Sequence, residues 1–282
     1  MPKRRTLTLT ASAAVLAAAL GLTAAMPSAG ATVPPGGAAV LPNGPRPTIV
    51  LVHGAWADSS SWGPVIKDLQ RDGYTVKAPA VPLRGLAEDA AYVASVLKQT
   101  PGPVVLVGHS YGGAVVTQAA PSDPEVKALV YVAAFVPDVG DSLGSLSARP
   151  VAHPIPQLPL VPLSYPKADG STGTDLYIDP AKYHQVFLSG RLSDATARAL
   201  AAEQRPLSLD AVTGTATAAG WKTVPSWYLV AKQDQAIAPD LERWMAARAG
   251  AHTVEVNAPH LAMAVVPEKV ADLIEEAARS AG

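Results

Sequence analysis

The stretch Val104-Val105-Leu106-Val107-Gly108-His109-Ser110-Tyr111-Gly112-Gly113-Ala114-Val115-Val116-Thr117 decides the fold. It opens as a β-branched apolar run, which suits a buried strand, and closes as a helix-like run. Gly-x-Ser-x-Gly joins the two. A serine on so tight a strand-to-helix turn has its hydroxyl pushed out above the sheet. Glycines two residues to either side are needed because Cβ atoms there would meet neighbouring backbone. The helix start also aims backbone N–H groups and a positive dipole end at the same point. A glycine-rich turn with an incidental serine is the bland alternative, and the strand–turn–helix setting argues against it. Ser110 is the candidate nucleophile.

Outward from this turn, short apolar runs alternate with helix-period segments. The runs are Thr48–Val52, Tyr74–Ala78, Val104–Val107, Ala128–Ala133, Trp227–Val230 and Thr253–Val256. Their near-continuous apolar character predicts strands covered on both faces. Helices are expected around Trp62–Leu69, over about Leu86 to Gln99, from about Ser110 to Ala120, around Leu241–Arg248, and from Pro267 onward. This alternation predicts an α/β fold with a mostly parallel sheet of about six strands flanked by helices. Between about 137 and 225 the rhythm breaks, with six prolines between Pro150 and Pro166 and no convincing buried strand. One helix is expected there, about Ser193 to Gln204, with Ser193 as N-cap. Such an insertion should roof the crevice at the carboxyl ends of the strands.

A hydroxyl is a weak nucleophile without a base. Of the six histidines, His260 sits on a loop between the last strand and the last helix, within reach of a serine at the top of the sheet. The base needs an orienting carboxylate. Asp234 follows the strand-like Trp227–Val230, and Asp138 is its rival after the preceding strand. The order serine, aspartate, histidine favours Asp234, while Asp240 reads as a helix-start residue. The oxyanion donors should be the N–H groups of Tyr111, directly after the serine, and of Ala55, in the loop after the first strand. His53 reads as structural, and Trp56 and Trp62 as core or pocket wall. No cluster has metal-ligand spacing, no phosphate-binding loop is present, and no cofactor is expected.

The chain has 282 residues, 49% hydrophobic and 16% charged, with a formal net charge of -1. That balance argues against disorder and gives no basic surplus for nucleic acid. The absence of cysteine excludes a thiol nucleophile, disulfides and Cys-based metal sites. Lys3-Arg4-Arg5, an uncharged Ala/Leu-rich run and Ala29-x-Ala31 form the three-part pattern of an export signal. The expected organisation is a leader at 1–31, a Pro/Gly-rich arm at 32–47 and a catalytic domain at 48–282. The expected location is outside the cytoplasm, with no stable membrane association after cleavage.

Together, Val50-Leu51-Val52-His53-Gly54-Ala55-Trp56, Gly108-His109-Ser110, Val132-Ala133-Ala134-Phe135, Asp234-Gln235-Ala236-Ile237, Arg243-Trp244-Met245 and His260-Leu261-Ala262-Met263 resemble the α/β-hydrolase superfamily. Within it the chain is similar to the small esterases related to plant methylesterases and hydroxynitrile lyases. The resemblance implies the α/β-hydrolase fold with a cap. It places Ser110, Asp234 and His260 as the triad and Ala55 and Tyr111 as oxyanion donors. It further implies hydrolysis of a small-molecule carboxylic ester; a lactone or amide substrate, or a non-catalytic binding role, is the alternative. The lyases carry lysine where Leu261 stands and threonine where Gly54 stands, so the resemblance disfavours cyanohydrin cleavage.

Overall fold

The computed structural model describes residues 46–281. The expected leader and almost all of the expected arm lie outside the described residues. Nine strands are present among those described: β1 Thr48–Val52, β2 Val76–Lys77, β3 Val104–His109, β4 Val126–Val132, β5 Leu160–Pro166, β6 Thr172–Ile178, β7 Leu207–Ser208, β8 Ser226–Ala231 and β9 His252–Val256. The helices are α1 Gly63–Arg71, α2 Leu86–Leu97, α3 Tyr111–Ala119, α4 Leu143–Ser147, α5 Pro180–Leu188, α6 Asp194–Glu203, α7 Leu209–Thr213, α8 Pro239–Arg248, α9 Ala262–Val265 and α10 Pro267–Ser280.

Six strands form one sheet in the order β2-β1-β3-β4-β8-β9, with every pairing parallel. Every residue of β3 and β8 is buried, as strands covered on both faces require. Helices α3 and α10 both lie on β3 and β4, with α2 packed on α3 and α1 on α10. The apolar stripe of α10, Val270, Leu273, Ile274 and Ala277, is buried as its spacing predicts.

Two expectations about strands need correction. β9 is not covered on both faces: its first four residues are exposed, because it forms the edge of the sheet. The segment from 137 to 225, read as having no convincing buried strand, does hold partly buried ones. It contains a three-stranded antiparallel sheet in the order β5-β6-β7. β5 is an almost wholly exposed edge strand, so it carries no buried apolar run to read. Its Pro162 and Pro166 are tolerated because an edge strand has donors to spare. β6 buries Leu176 and Ile178 but also holds Gly173 and Asp175, which dilute its alternation. α6 is present as expected, with the Ser193 hydroxyl accepting from the Thr196 N–H at 3.1 Å.

This insertion roofs the carboxyl ends of the sheet strands. Arg84, between β2 and α2, holds it by an ion pair to Asp175 at 2.8 Å and a hydrogen bond to the Pro206 carbonyl at 3.2 Å. Trp56, just past β1, donates its backbone N–H to the Arg205 carbonyl (2.9 Å) and its indole N–H to the Leu176 carbonyl (2.7 Å). In return Tyr183 of α5 donates to the Trp56 carbonyl at 3.1 Å.

Candidate active site

Ser110 stands between β3 and α3 at φ 53° and ψ -124°, a conformation that a non-glycine residue rarely adopts. Such backbone strain costs about 1–3 kcal/mol and persists only where neighbours over-determine it. Here the Ser110 carbonyl accepts from the N–H groups of Gly113 (3.0 Å) and Phe135 (3.1 Å). The turn also needs close approach of backbone to backbone. A Cβ at Gly112 would stand 2.7 Å from the His53 carbonyl oxygen. The strain and the crowding together hold the Ser110 hydroxyl over the end of the sheet, where it lines a cavity of about 760 Å³.

The structure brings the three sequence-selected polar side chains into one chain of contacts. Ser110 Oγ lies 2.9 Å from His260 Nε2, and His260 Nδ1 lies 2.6 Å from Asp234 Oδ2. Both His260 and Asp234 are fully buried. Since an ionised carboxylate can only accept, Nδ1 carries the proton of the neutral imidazole. Nε2 then offers its lone pair to the Ser110 hydroxyl. Asp234 is fixed in turn by the turn after β8: its Oδ1 accepts from the Ala236 and Ile237 N–H groups at 2.6 and 2.9 Å.

The rivals are placed elsewhere. Asp138 is partly exposed, takes the Val139 N–H and pairs with Lys222 at 2.5 Å, which holds its carboxyl below the usual range. Asp240 sits in the first turn of α8, bonded to His153 and Arg243. His53 is pinned at both nitrogens, accepting from the Val81 N–H (3.0 Å) and donating to the Gly54 carbonyl (2.8 Å). Burial lowers its pKa and keeps it neutral.

Ala55 and Tyr111 both line the cavity, and among the described residues neither backbone N–H has an acceptor. Two unspent donors beside a serine hydroxyl are what a developing oxyanion requires. The Tyr111 side chain turns away and donates its phenol to the buried Asp89 carboxyl at 2.6 Å. Burial raises the pKa of both groups. Gly54, which precedes Ala55, has no room for a side chain: its Cβ would stand 2.6 Å from Ser110 Cβ.

Three contributors escaped the sequence reading. Phe187 of α5 sets its ring edge against the His260 imidazole at 5.1 Å between centroids. Asp89 anchors Tyr111, and its place in the first turn of α2 hides that task behind an ordinary helix-start preference. Glu242 is buried on α8, one residue after the apolar Leu241, where a charged type reads as surface. His109 also packs against His260, its ring 4.7 Å away and its Nε2–H donated to the His260 carbonyl at 3.0 Å. Complete burial drives its pKa far down. Trp62 is core, whereas Trp56 lines the cavity.

The rest of the cavity wall is mostly apolar, with Leu143, Ile155, Leu158, Leu176 and Ile237 among its residues and Ser147 and Gln157 as polar exceptions. Among the described residues lining it, Arg149 carries the one charge, and its guanidinium is stacked on Trp244 at 3.7 Å. Leu261 beside the histidine is buried and donates its N–H to the Phe187 carbonyl. No group of three acidic or histidine side chains able to hold a metal occurs among the described residues.

The chain is 36% identical over 110 residues to the carbendazim hydrolyzing esterase of Nocardioides sp. (strain SG-4G), a match covering 34% of this chain and 46% of that protein. It thus spans under half the length of that relative. It is 25% identical over 214 residues to methylesterase 8 of Arabidopsis thaliana, covering 70% of this chain and 75% of that one. Crystalline polyneuridine aldehyde esterase shares the fold with a TM-score of 0.67 at 19% identity, over 82% of this chain and 99% of that one. The parallel sheet from Ile49 onward, the strained serine turn and the loops that bring Asp234 and His260 to it all lie within residues 49–273. That span matches the model of the Alpha/beta hydrolase family, and the chain belongs to it.

Proposed function

We propose that the protein is a serine hydrolase of carboxylic esters. The single observation that carries this reading is the continuous contact Ser110 Oγ–His260 Nε2–Nδ1–Asp234 Oδ2, opening into a cavity with two unspent N–H donors. Ser110 Oγ attacks the ester carbonyl carbon while His260 Nε2 takes its proton. The carbonyl electron pair moves to oxygen, and the Ala55 and Tyr111 N–H groups bind the resulting oxyanion. Collapse breaks the bond to the leaving oxygen, which His260 protonates, so an alcohol departs and an acyl-serine remains. His260 then takes a proton from water as it attacks the acyl carbon, and returns it to Ser110 as the acid leaves. Asp234 stabilises the imidazolium in both halves.

The volume of about 760 Å³ and the apolar wall favour an ester with a sizeable uncharged body over a minimal acetate. The names of the esterase relatives point the same way in bond type. The leader-like N-terminus supports action outside the cytoplasm, checked by the N-terminal residue of protein recovered from culture medium. The test of function is Ser110→Ala. Its turnover of p-nitrophenyl esters should fall by about 10⁴–10⁶, and a fluorophosphonate probe should label the wild type at Ser110. Hydrolysis by the variant at the wild-type rate would overturn the reading.

A further inference from the structure

The peptide between Ser110 and Tyr111 carries one of the two N–H groups assigned to the oxyanion. It follows the strained Ser110, at φ 53° and ψ -124°. Rotating it toward the ordinary left-handed region would relieve that strain. The carbonyl half of the peptide is tied, because the Ser110 oxygen accepts from Gly113 and Phe135. The amide half is not tied by the helix. Tyr111 is the first residue of α3, and the first N–H groups of a helix have no partner in its ladder. Where that N–H points therefore depends on how the Tyr111 side chain is anchored.

The anchor is Asp89 of α2. The Tyr111 ring is buried, and its phenol donates to Asp89 Oδ2 at 2.6 Å. Asp89 is itself held. Its Oδ1 accepts the Arg84 backbone N–H at 3.3 Å, and its own N–H donates to the Gly85 carbonyl at 2.8 Å. Helix α2 packs along α3 through this contact.

The pair is a poor device for stability. Asp89 is fully buried, and burial, its largest influence, raises its pKa, the mark of a carboxyl kept from water at a cost. Arg84 does not offset that cost, since its guanidinium goes to Asp175 and the Pro206 carbonyl. Replacing both partners of such a buried pair by apolar groups of the same shape is close to neutral for folding. What apolar groups would not supply is direction. A phenol bonded at 2.6 Å fixes the ring both along its axis and about the Cα–Cβ bond, and with it the N–H of the same residue.

We propose that Asp89 is a positioning residue for the oxyanion: it holds the Tyr111 phenol and thereby aims the Tyr111 N–H at the developing charge. The proposal rests on the triad reading given above. Asp89 touches no reacting atom and acts through Tyr111.

The experiment compares wild type, Tyr111→Phe, Asp89→Asn, Asp89→Leu and the double variant Tyr111→Phe with Asp89→Leu. Leucine repeats the fork of the carboxylate without its polarity. Losing an oxyanion donor outright costs about 10²–10³ in kcat. Here the donor is kept but loosened, so kcat of Tyr111→Phe, of Asp89→Leu and of the double variant should fall about 10-fold, with KM within about twofold. A trifluoromethyl ketone of matched chain length accepts Ser110 Oγ at its carbonyl carbon, and the carbonyl pair moves to oxygen while His260 takes the proton. It should bind about 10-fold more weakly, whereas the unfluorinated ketone, which stays trigonal, should bind as it does to wild type. Asparagine keeps an acceptor for the phenol, so Asp89→Asn should stay within about threefold of wild type.

The double variant separates positioning from mere structure. Its Tm should return toward that of wild type, while kcat stays low. If kcat recovers with Tm, the proposal is overturned. Equal loss in Asp89→Asn and Asp89→Leu also overturns it. If the variants do not fold, the crystal structure of the wild-type trifluoromethyl ketone adduct decides. It should show the oxyanion on the Tyr111 N–H with the phenol still on Asp89, and a phenol found elsewhere overturns the proposal. A wild type that hydrolyses no ester and adds no trifluoromethyl ketone sinks the triad reading alone. Millisecond exchange at the Tyr111 amide nitrogen, absent in wild type and present in Asp89→Leu, then shows that Asp89 holds this peptide, and a quiet amide in Asp89→Leu overturns it.

Discussion

The parallel sheet and the roof over it are built on different terms. Under Ser110, β3 and β8 are dry on both faces, and the Ser110, His260 and Asp234 side chains are hydrogen-bonded in a row. In the roof, β5 exposes Leu160, Val161 and Leu163 to solvent, and the wall it presents to the cavity is almost uncharged. The platform sets the geometry of the reaction to tenths of an ångström, while the roof supplies shape. Substitutions in the first should change kcat, and substitutions in the second should change which ester binds.

The largest effect that would break this division is at the acid. Asp234→Asn should lower kcat about 10⁴-fold by leaving His260 in the wrong tautomer. Asp138→Asn, which loses a surface ion pair, should stay within about twofold of wild type. Kinetics of the two variants side by side decide between them, and the reverse pattern would move the acid to the other loop. Next is Gly54→Ala. Its new methyl collides with Ser110 Cβ, and displacement of a nucleophile by about 1 Å costs about 10²-fold in kcat. Circular dichroism should show the fold retained.

The roof predictions are smaller. Ile155→Ala with Leu158→Ala should raise KM for a bulky apolar ester about tenfold and leave kcat/KM for an acetate ester nearly unchanged. A matching loss on both substrates would mean that the roof shapes the chemistry itself. Smallest is Arg84→Met, which cuts the half-buried pair with Asp175. About 1 kcal/mol is at stake after solvent screening, or roughly 2–4 °C in Tm.

The same contrast governs what the sequence reveals. The strands of the sheet were legible because burial on both faces writes an unbroken apolar run, as in Val104–Val107. The serine turn was legible because crowding leaves glycine no substitute. Asp234 and His260 are legible as candidates from chain order and from their places after strand ends, and the structure sets their side chains in contact. β5 was not legible, since an exposed edge strand with two prolines has no pattern to leave. β9 misled for a related reason: Thr253–Val256 looks apolar enough for the interior yet ends the sheet. Glu242 and Asp89 stayed hidden because a buried acid cannot be told from a surface one by type alone. What distinguishes them is a partner on another element, Tyr111 of α3 for Asp89 and the Ala231 N–H of β8 for Glu242.

Trp56 joins the two regions. Its peptide follows the Ala55 donor directly, and its own N–H, carbonyl and indole are all committed to the roof. The seating of the roof and the position of the Ala55 N–H are thus tied through one residue. On the proposed mechanism, an ester bulky enough to lift the roof should draw this peptide away from Ser110 and bind without turnover. On that reading, the upper size limit for turnover should lie at this tryptophan rather than at the serine.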